Sequence, residues 1–175
     1  MQLDKELQGV RTVAIAGHVR PDGDSVGACI GLKYYIMDNF APIKADIWLE
    51  KPDPKFAVLK GYDEIRQAEG EEQEYDLFIA LDCASYERLG GAKAYFDTAK
   101  KTICIDHHIS NTGYGGINEI DANASSTCEV LCRLMEPEKI SQEAAAALYT
   151  GIAHDTGVFQ YSCTSPDTMR MAAVL

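Results

Sequence analysis

The sequence has no apolar run approaching the ~20 residues that a bilayer-crossing helix needs. Its amino end, MQLDKELQGV, has neither the basic head nor the apolar core of a secretion signal. A cytoplasmic location is therefore expected. Basic side chains are scarce as well: 16 Lys and Arg stand against 27 Asp and Glu, for a net charge of -11. That balance excludes a broad basic face for long duplex DNA or for a membrane surface, so any anionic ligand has to be met by a local cation. There is no CxxC pair. The six cysteines, Cys29, Cys83, Cys104, Cys128, Cys132 and Cys163, lie mostly among Ala, Ile, Val and Leu and read as small buried hydrophobes. Cys128 and Cys132 could share a helix face, but no matching His or Cys completes a thiolate metal site. Internal repeats and low-complexity tracts are absent.

What is present is a globular composition, with 46% hydrophobic and 25% charged residues in 175, enough for one domain whose core needs no disulfide or structural metal. Apolar runs of four to six residues alternate with longer amphipathic stretches, the pattern of βαβ units. It predicts strands at Thr12 to Ala16, Ala45 to Leu49, Leu77 to Leu81 and Thr102 to Ile105. Helices are expected at Ser25 to Asn39, Ser126 to Met135 and Gln142 to Ala153, with another starting at Ser165-Pro166-Asp167. The fold class is α/β, a three-layer α/β/α arrangement around a mainly parallel, doubly wound sheet. Gly70 to Glu74 reads as a solvated acidic connection.

Metal-capable side chains gather where these elements run out. The first strand leads into Gly17-His18-Val19-Arg20-Pro21-Asp22-Gly23-Asp24-Ser25, an imidazole and two carboxylates at a strand's carboxyl end, where open α/β sheets bind ligands. Turn chemistry for Pro21-Asp22-Gly23, with Asp24 or Ser25 capping the next helix, accounts for the same residues except His18. Asp82 closes a second apolar run, either as a ligand or as the cap of a following helix. A third run ends in Asp106-His107-His108, where an acidic neighbour can orient an imidazole by accepting its second N–H. The fourth segment is Gly151-Ile152-Ala153-His154-Asp155-Thr156-Gly157, with Asp155 a ligand or a turn former and Gly157 a helix terminator. All four histidines fall in these segments. Mixed carboxylate and imidazole donors suit Mn²⁺, Mg²⁺ or Co²⁺, and two such ions sharing a carboxylate can activate water for in-line attack on phosphorus. Ser125 and Ser126 precede a helix with Glu129 three residues after Ser126, which fits both a capping box and a phosphate cradle. Arg20 is assigned with these two serines to the substrate.

His18-x3-Asp22-x-Asp24, Asp82, Asp106-His107-His108 and Gly151-Ile152-x2-Asp155-Thr156-Gly157 resemble, in order and spacing, the four motifs of the DHH phosphoesterase superfamily. HVRPDGDSVGA, LDCASYERLGG, IDHHISN, ASSTCEV and LYTGIAHDTGVFQYS are most similar to its oligoribonuclease and 3'-phosphoadenosine-5'-phosphate (pAp) phosphatase branch, the nanoRNases. The resemblance implies two divalent cations, Mn²⁺ foremost. His18, Asp22 and Asp82 would hold one, and Asp24, Asp82, His107 and Asp155 the other, with Asp82 bridging. It also implies that Asp106 orients the histidines and that His108 contacts the scissile phosphate or assists the leaving group. The nucleophile would be a bridging hydroxide, and the substrates short RNA oligomers and small nucleotides. Residues 1–162 would be the catalytic DHH domain, and 163–175 the start of a linker helix toward a carboxyl-terminal substrate-binding domain whose Gly-rich GGGH-like motif does not occur here. His154 stands where relatives commonly carry a small residue. A homodimer is one assembly open to the chain. The rival readings are a cyclic-dinucleotide phosphodiesterase, a family II inorganic pyrophosphatase, a RecJ-like exonuclease, which the acidic surface disfavours, and a metal- or nucleotide-binding module with little turnover.

Overall fold

The computed structural model describes residues 1–68 and 73–175, so Gly70, Glu71 and Glu72 of the acidic connection lie outside the described residues. Six strands, β1 (Thr12–Ala16), β2 (Lys44–Trp48), β3 (Ile65–Arg66), β4 (Leu77–Leu81), β5 (Thr102–Asp106) and β6 (Ile117–Ile120), form one sheet in the order β3-β2-β1-β4-β5-β6. Every pairing is parallel. The helices are α1 (Leu3–Glu6), α2 (Gly23–Asn39), α3 (Lys93–Thr98), α4 (Thr127–Leu134), α5 (Gln142–Asp155) and α6 (Pro166–Val174).

A parallel sheet is covered on both faces, which is why its central strands are apolar without alternation; all five residues of β4 are buried. Val13, Ile15, Leu77, Ile79 and Ile105 join one core with residues of α2, α4 and α5. Ala14, Ala16, Phe78, Ala80 and Cys104 face the opposite side, packed with Trp48, Tyr75, Leu89 and Tyr95 beside α3 and the 3₁₀ segment Tyr86–Ala92. Each fully buried Leu, Ile or Phe contributes about 1.5–3 kcal/mol. The expected α/β/α layering is therefore present. β1 runs outward to β2 and β3, and the chain then returns to lay β4 on the other side of β1. The adjacent carboxyl ends of β1 and β4 are thus the topological switch point, where such sheets open a crevice.

Two glycines let α5 lie close to its neighbours. A Cβ on Gly27 would meet the Ala147 carbonyl at 2.4 Å, and one on Gly151 would meet Cys128 Sγ at 2.2 Å and Asp24 Oδ1 at 2.9 Å. Neither position has room for a methyl group.

Several details differ from the sequence expectation. Asp22, not Asp24 or Ser25, caps α2, its Oδ1 accepting the amides of Asp24 at 3.0 Å and Ser25 at 3.1 Å. That places Asp24 inside the first helical turn. β2 lies one residue earlier than its apolar run. α1, α3, β3 and β6 were not foreseen: β3 has two residues, α1 has four, and β6 is an edge strand without a fully buried residue. α6 begins as expected, with a capping box between Ser165 and Thr168 and Pro166 in its first turn. Five cysteines are buried, whereas Cys163 is exposed because it lies in the irregular connection between α5 and α6. Among the described residues no helix is long and apolar enough to cross a membrane.

Candidate metal centre

Three strand ends, one helix start and one helix end bring the sequence-selected residues together. β1 delivers His18, the α2 cap and first turn deliver Asp22 and Asp24, β4 delivers Asp82, β5 delivers Asp106, His107 and His108, and α5 ends on Asp155. The 2.8 Å contact from His18 Nδ1 to the Val19 carbonyl commits Nδ1–H to the backbone and turns Nε2 toward the cluster. That Nε2 faces Asp82 Oδ2 at 3.4 Å and Asp22 Oδ2 at 3.8 Å. The other Asp82 oxygen faces the opposite way, with Oδ1 3.6 Å from His107 Nε2 and 3.7 Å from His108 Nδ1. His107 Nε2 in turn lies 3.3 Å from Asp155 Oδ2 and 3.9 Å from Asp24 Oδ2.

Ligand atoms of His18, Asp22 and Asp82 lie within 4.8 Å of one another, as do those of Asp24, His107 and Asp155, those of Asp82, His107 and His108, and those of Asp22, His154 and Asp155. Asp82 projects into the cluster from a strained backbone, φ 51°, in the left-handed region that a short acidic side chain tolerates better than most.

A layer of hydrogen bonds fixes these groups. Asp106 is fully buried. Its Oδ1 accepts His108 Nδ1–H at 2.8 Å and the His107 amide at 2.9 Å, and its Oδ2 accepts Asn111 Nδ2 at 2.7 Å. His108 Nε2 has no hydrogen-bond partner among the described residues. Asp24, also fully buried, accepts the Thr127 amide at 2.6 Å and the Cys128 amide at 3.0 Å. Thr127 Oγ1 reaches Asp82 Oδ1 at 3.3 Å. Sequence reasoning missed Asn111 and Thr127. A lone Asn after a His pair and a Thr inside a helix start carry no local signal of a partner that is distant in the chain. It also missed Arg88, in the 3₁₀ segment after β4, whose charge acts on His108 and which makes no ion pair among the described residues.

Ser125 and Ser126 are brought near the cluster, but their hydroxyls are committed elsewhere. Ser126 Oγ accepts the Glu129 amide at 3.1 Å, and Ser125 gives its amide and hydroxyl to Glu129 Oε2 at 3.1 and 2.5 Å. The Glu129 carboxylate thus closes on Ser125, one residue before the partner that a capping box assigns it. Both serines are buried, which turns them away from any approaching phosphate, and the leading α4 amides are taken up by Asp24. Arg20 is exposed at the lip, with φ 56°, and donates its amide to Glu50 Oε2 at 2.7 Å.

The electrostatics follow from burying many carboxylates with few cations. Burial opposes the charge on His18, but its bonds to Asp22 and Asp82 outweigh that and raise its pKa to about 10. Burial would lift Asp22, yet His18 and the Ser25 amide hold it well below the usual carboxylate range. Burial raises Asp24 and Asp82, Asp82 further through the charge of Asp24. Asp155 is pushed up to about 6 by burial, then by Asp24 and Asp22. Burial lowers His107, while the Asp106 bond raises His108. Asp106 stays low because His108 and Asn111 outweigh its burial. Among the described residues no Lys or Arg pairs with Asp22, Asp24, Asp82, Asp106 or Asp155. A buried cluster of this sign requires counter-charge, and its oxygen and imidazole donors fit divalent cations.

The family described as "DHH family, N-terminal domain" matches residues 12–152. A Streptococcus mutans protein named "Probable bifunctional oligoribonuclease and PAP phosphatase NrnA" is 31% identical over 172 residues, covering 97% of this chain and 54% of that protein. A Bacillus subtilis protein named "Bifunctional oligoribonuclease and PAP phosphatase NrnA" is 31% identical over 169 residues, covering 94% and 52%. The chain thus spans about half the length of the curated relatives it matches. Among solved structures, an exopolyphosphatase-related protein from Bacteroides fragilis superposes with a TM-score of 0.88 at 23% identity, covering 98% of this chain and 54% of that one. A putative family II inorganic pyrophosphatase from Methanococcus jannaschii gives 0.65 at 20% identity, covering 92% and 54%. These two likenesses speak to the fold alone.

Proposed function

The chain belongs to the DHH family, and from that premise we propose that it carries the catalytic half of a Mn²⁺-dependent phosphoesterase acting on short oligoribonucleotides and pAp. The observation that carries the reading is Asp82, whose two oxygens face different imidazoles, His18 on one side and His107 with His108 on the other. A carboxylate so placed suits two cations that share it. His18, Asp22 and Asp82 would hold one, and Asp24, Asp82, His107 and Asp155 the other. When bound, the cations would supply an acidified water and the positive charge that an attacked phosphate needs.

The chain's own residues have separate tasks. Val19 fixes the His18 tautomer, and Asp106 fixes that of His108. His108 keeps Nε2 available to hold a proton against the phosphate or the leaving oxygen. Arg88 and Arg20 offer charge to the phosphate from the rim. Ser125 and Ser126 serve the site through the α4 turn that holds Asp24. The substrate class rests on the names of relatives about twice as long as this chain. The same reading takes 1–162 as the catalytic domain, 163–175 as the start of a linker, and the cytoplasm as the place of action.

The test is hydrolysis of pAp, a ribodinucleotide, cyclic di-AMP and pyrophosphate by metal-stripped chain with and without Mn²⁺. Mn²⁺-dependent turnover of the first two is expected. Preference for cyclic di-AMP would move the reading to a cyclic-dinucleotide phosphodiesterase, and rapid pyrophosphate cleavage to a pyrophosphatase. Metal uptake without turnover would mark a binding module.

A further inference from the structure

Beside the metal cluster, with the His18 ring as a shared wall, lies a cavity of about 150 Å³ at the carboxyl ends of β1, β2 and β3. Its floor is apolar and buried, built from Trp48, Leu49, Leu89 and Ala92. Its rim is polar, with Glu50 and Gln67 both exposed. Glu50 spends Oε2 on the Arg20 amide and keeps Oε1 open, and the Gln67 amide has no hydrogen-bond partner among the described residues. The Val19 amide donates to the Arg88 carbonyl at 2.8 Å, tying the loop after β1 to the loop after β4, so the cavity stands between two joined loops. Apart from His18 and the Val19 carbonyl that orients it, none of its lining residues has a part in the reaction outlined above.

We propose that this cavity seats a nucleobase, that of the nucleoside attached to the phosphate held at the metal cluster. The inference rests on the phosphoesterase reading for the position of that phosphate. The lining chemistry selects the base over the other parts of a nucleotide. Among the described residues no Lys or Arg lines the cavity, and Glu50 adds negative charge, which turns away a second phosphate. A buried floor of Trp, Leu and Ala offers no partner to sugar hydroxyls. A base has a flat apolar body for that floor and a polar edge for Gln67 and the open oxygen of Glu50. An exocyclic amino group, as on adenine, is the edge that a carboxylate accepts.

Trp48 is the chain's single tryptophan, so its emission comes from this floor. The experiment titrates the Mg²⁺-loaded chain with AMP and with ribose 5-phosphate, which has the same phosphate and no base, while Trp48 fluorescence is followed. AMP should change the emission saturably and ribose 5-phosphate should not. Glu50→Ala and Gln67→Ala should each raise the AMP concentration for half-saturation about tenfold, the scale of one lost hydrogen bond. Equal responses to the two ligands, no response to AMP, or an undiminished response in both variants would overturn the proposal. Mn²⁺-dependent hydrolysis of pAp fails or succeeds separately: turnover with a silent Trp48 sinks the pocket alone, and a base-dependent signal without turnover sinks the reaction alone.

Discussion

Thr127 donates its backbone amide to the Asp24 carboxylate at 2.6 Å across 103 residues of sequence, with Cys128 adding a second amide at 3.0 Å. The N-terminus of α4 therefore grips a protein carboxylate. Asp24→Ala would orphan both amides, each costing about 1–3 kcal/mol when buried, and would remove a ligand from one side of the cluster. The expected variant unfolds at lower urea and binds about one Mn²⁺ fewer by calorimetry. Unchanged stoichiometry would take Asp24 out of the ligand set.

Asp82→Ala should act on the whole centre, because the two oxygens of one side chain serve both imidazole groups. Both Mn²⁺ equivalents and all Mn²⁺-dependent turnover should disappear, as read by electron paramagnetic resonance and phosphate release. A variant that kept normal occupancy would show that Asp82 does not bridge.

Asp106 supports His108 without lying between the two imidazole groups. Asp106→Asn weakens the bond to His108 and removes the negative charge behind it, both of which raise the His108 pKa, so the imidazole should titrate closer to 6.5 by NMR. Loss of such a supporting partner costs roughly 10–100-fold in activity or metal affinity. An unshifted His108 titration would break the link.

Asp155 predicts how the metal-free fold responds to pH. Its folded value of about 6 lies above the ordinary 3.8, so the fold prefers the protonated acid. That contribution is complete below 3.8, shrinks as pH rises, and is gone above about 6. Asp155→Asn, which cannot ionise, should gain on the wild type by on the order of 3 kcal/mol over that interval, at about 1.4 kcal/mol per unit. Urea midpoints of the two metal-free proteins should separate with rising pH, and saturating Mn²⁺ at neutral pH should reverse the order. Parallel curves would refute the crowding of charge at Asp155.

Thr168, fully buried in α6, donates to Glu129 Oε2 at 2.8 Å, the oxygen that also holds Ser125. Thr168→Val keeps the shape and deletes this bond together with the Ser165 amide's bond to the same hydroxyl in the capping box. A loss of about 1–2 kcal/mol is expected, or roughly 3–6 °C in Tm for a chain of this size. An unchanged melting point would mean that α6 docks without this contact.

How much of this was legible in the sequence depends on where each partner lies. β1 and β4 were predicted to the residue because their apolar runs are bounded by polar groups on both sides. The strand-end residues His18, Asp82 and Asp106 were legible for the same reason, since each follows or closes a buried run. β3 and β6 were not, being a two-residue strand and a half-exposed edge strand that pairs on one side. The two readings of the α4 N-terminus, cap and phosphate cradle, stayed open in the sequence; Ser126 caps it and Asp24 takes its leading amides, and a single sequence has no local sign of a carboxylate arriving from 103 residues away.

Gly27 and Gly151 show what the centre cannot tolerate gaining. Where α5 crosses the α2 and α4 starts, one added methyl group would strike the Asp24 carboxylate or the Ala147 carbonyl. In a library of all single substitutions selected for Mn²⁺ retention, these two positions, which bind nothing, should be depleted alongside Asp82 and His107. Drift can thus erode this centre through the arrival of a carbon atom as readily as through the loss of a charge.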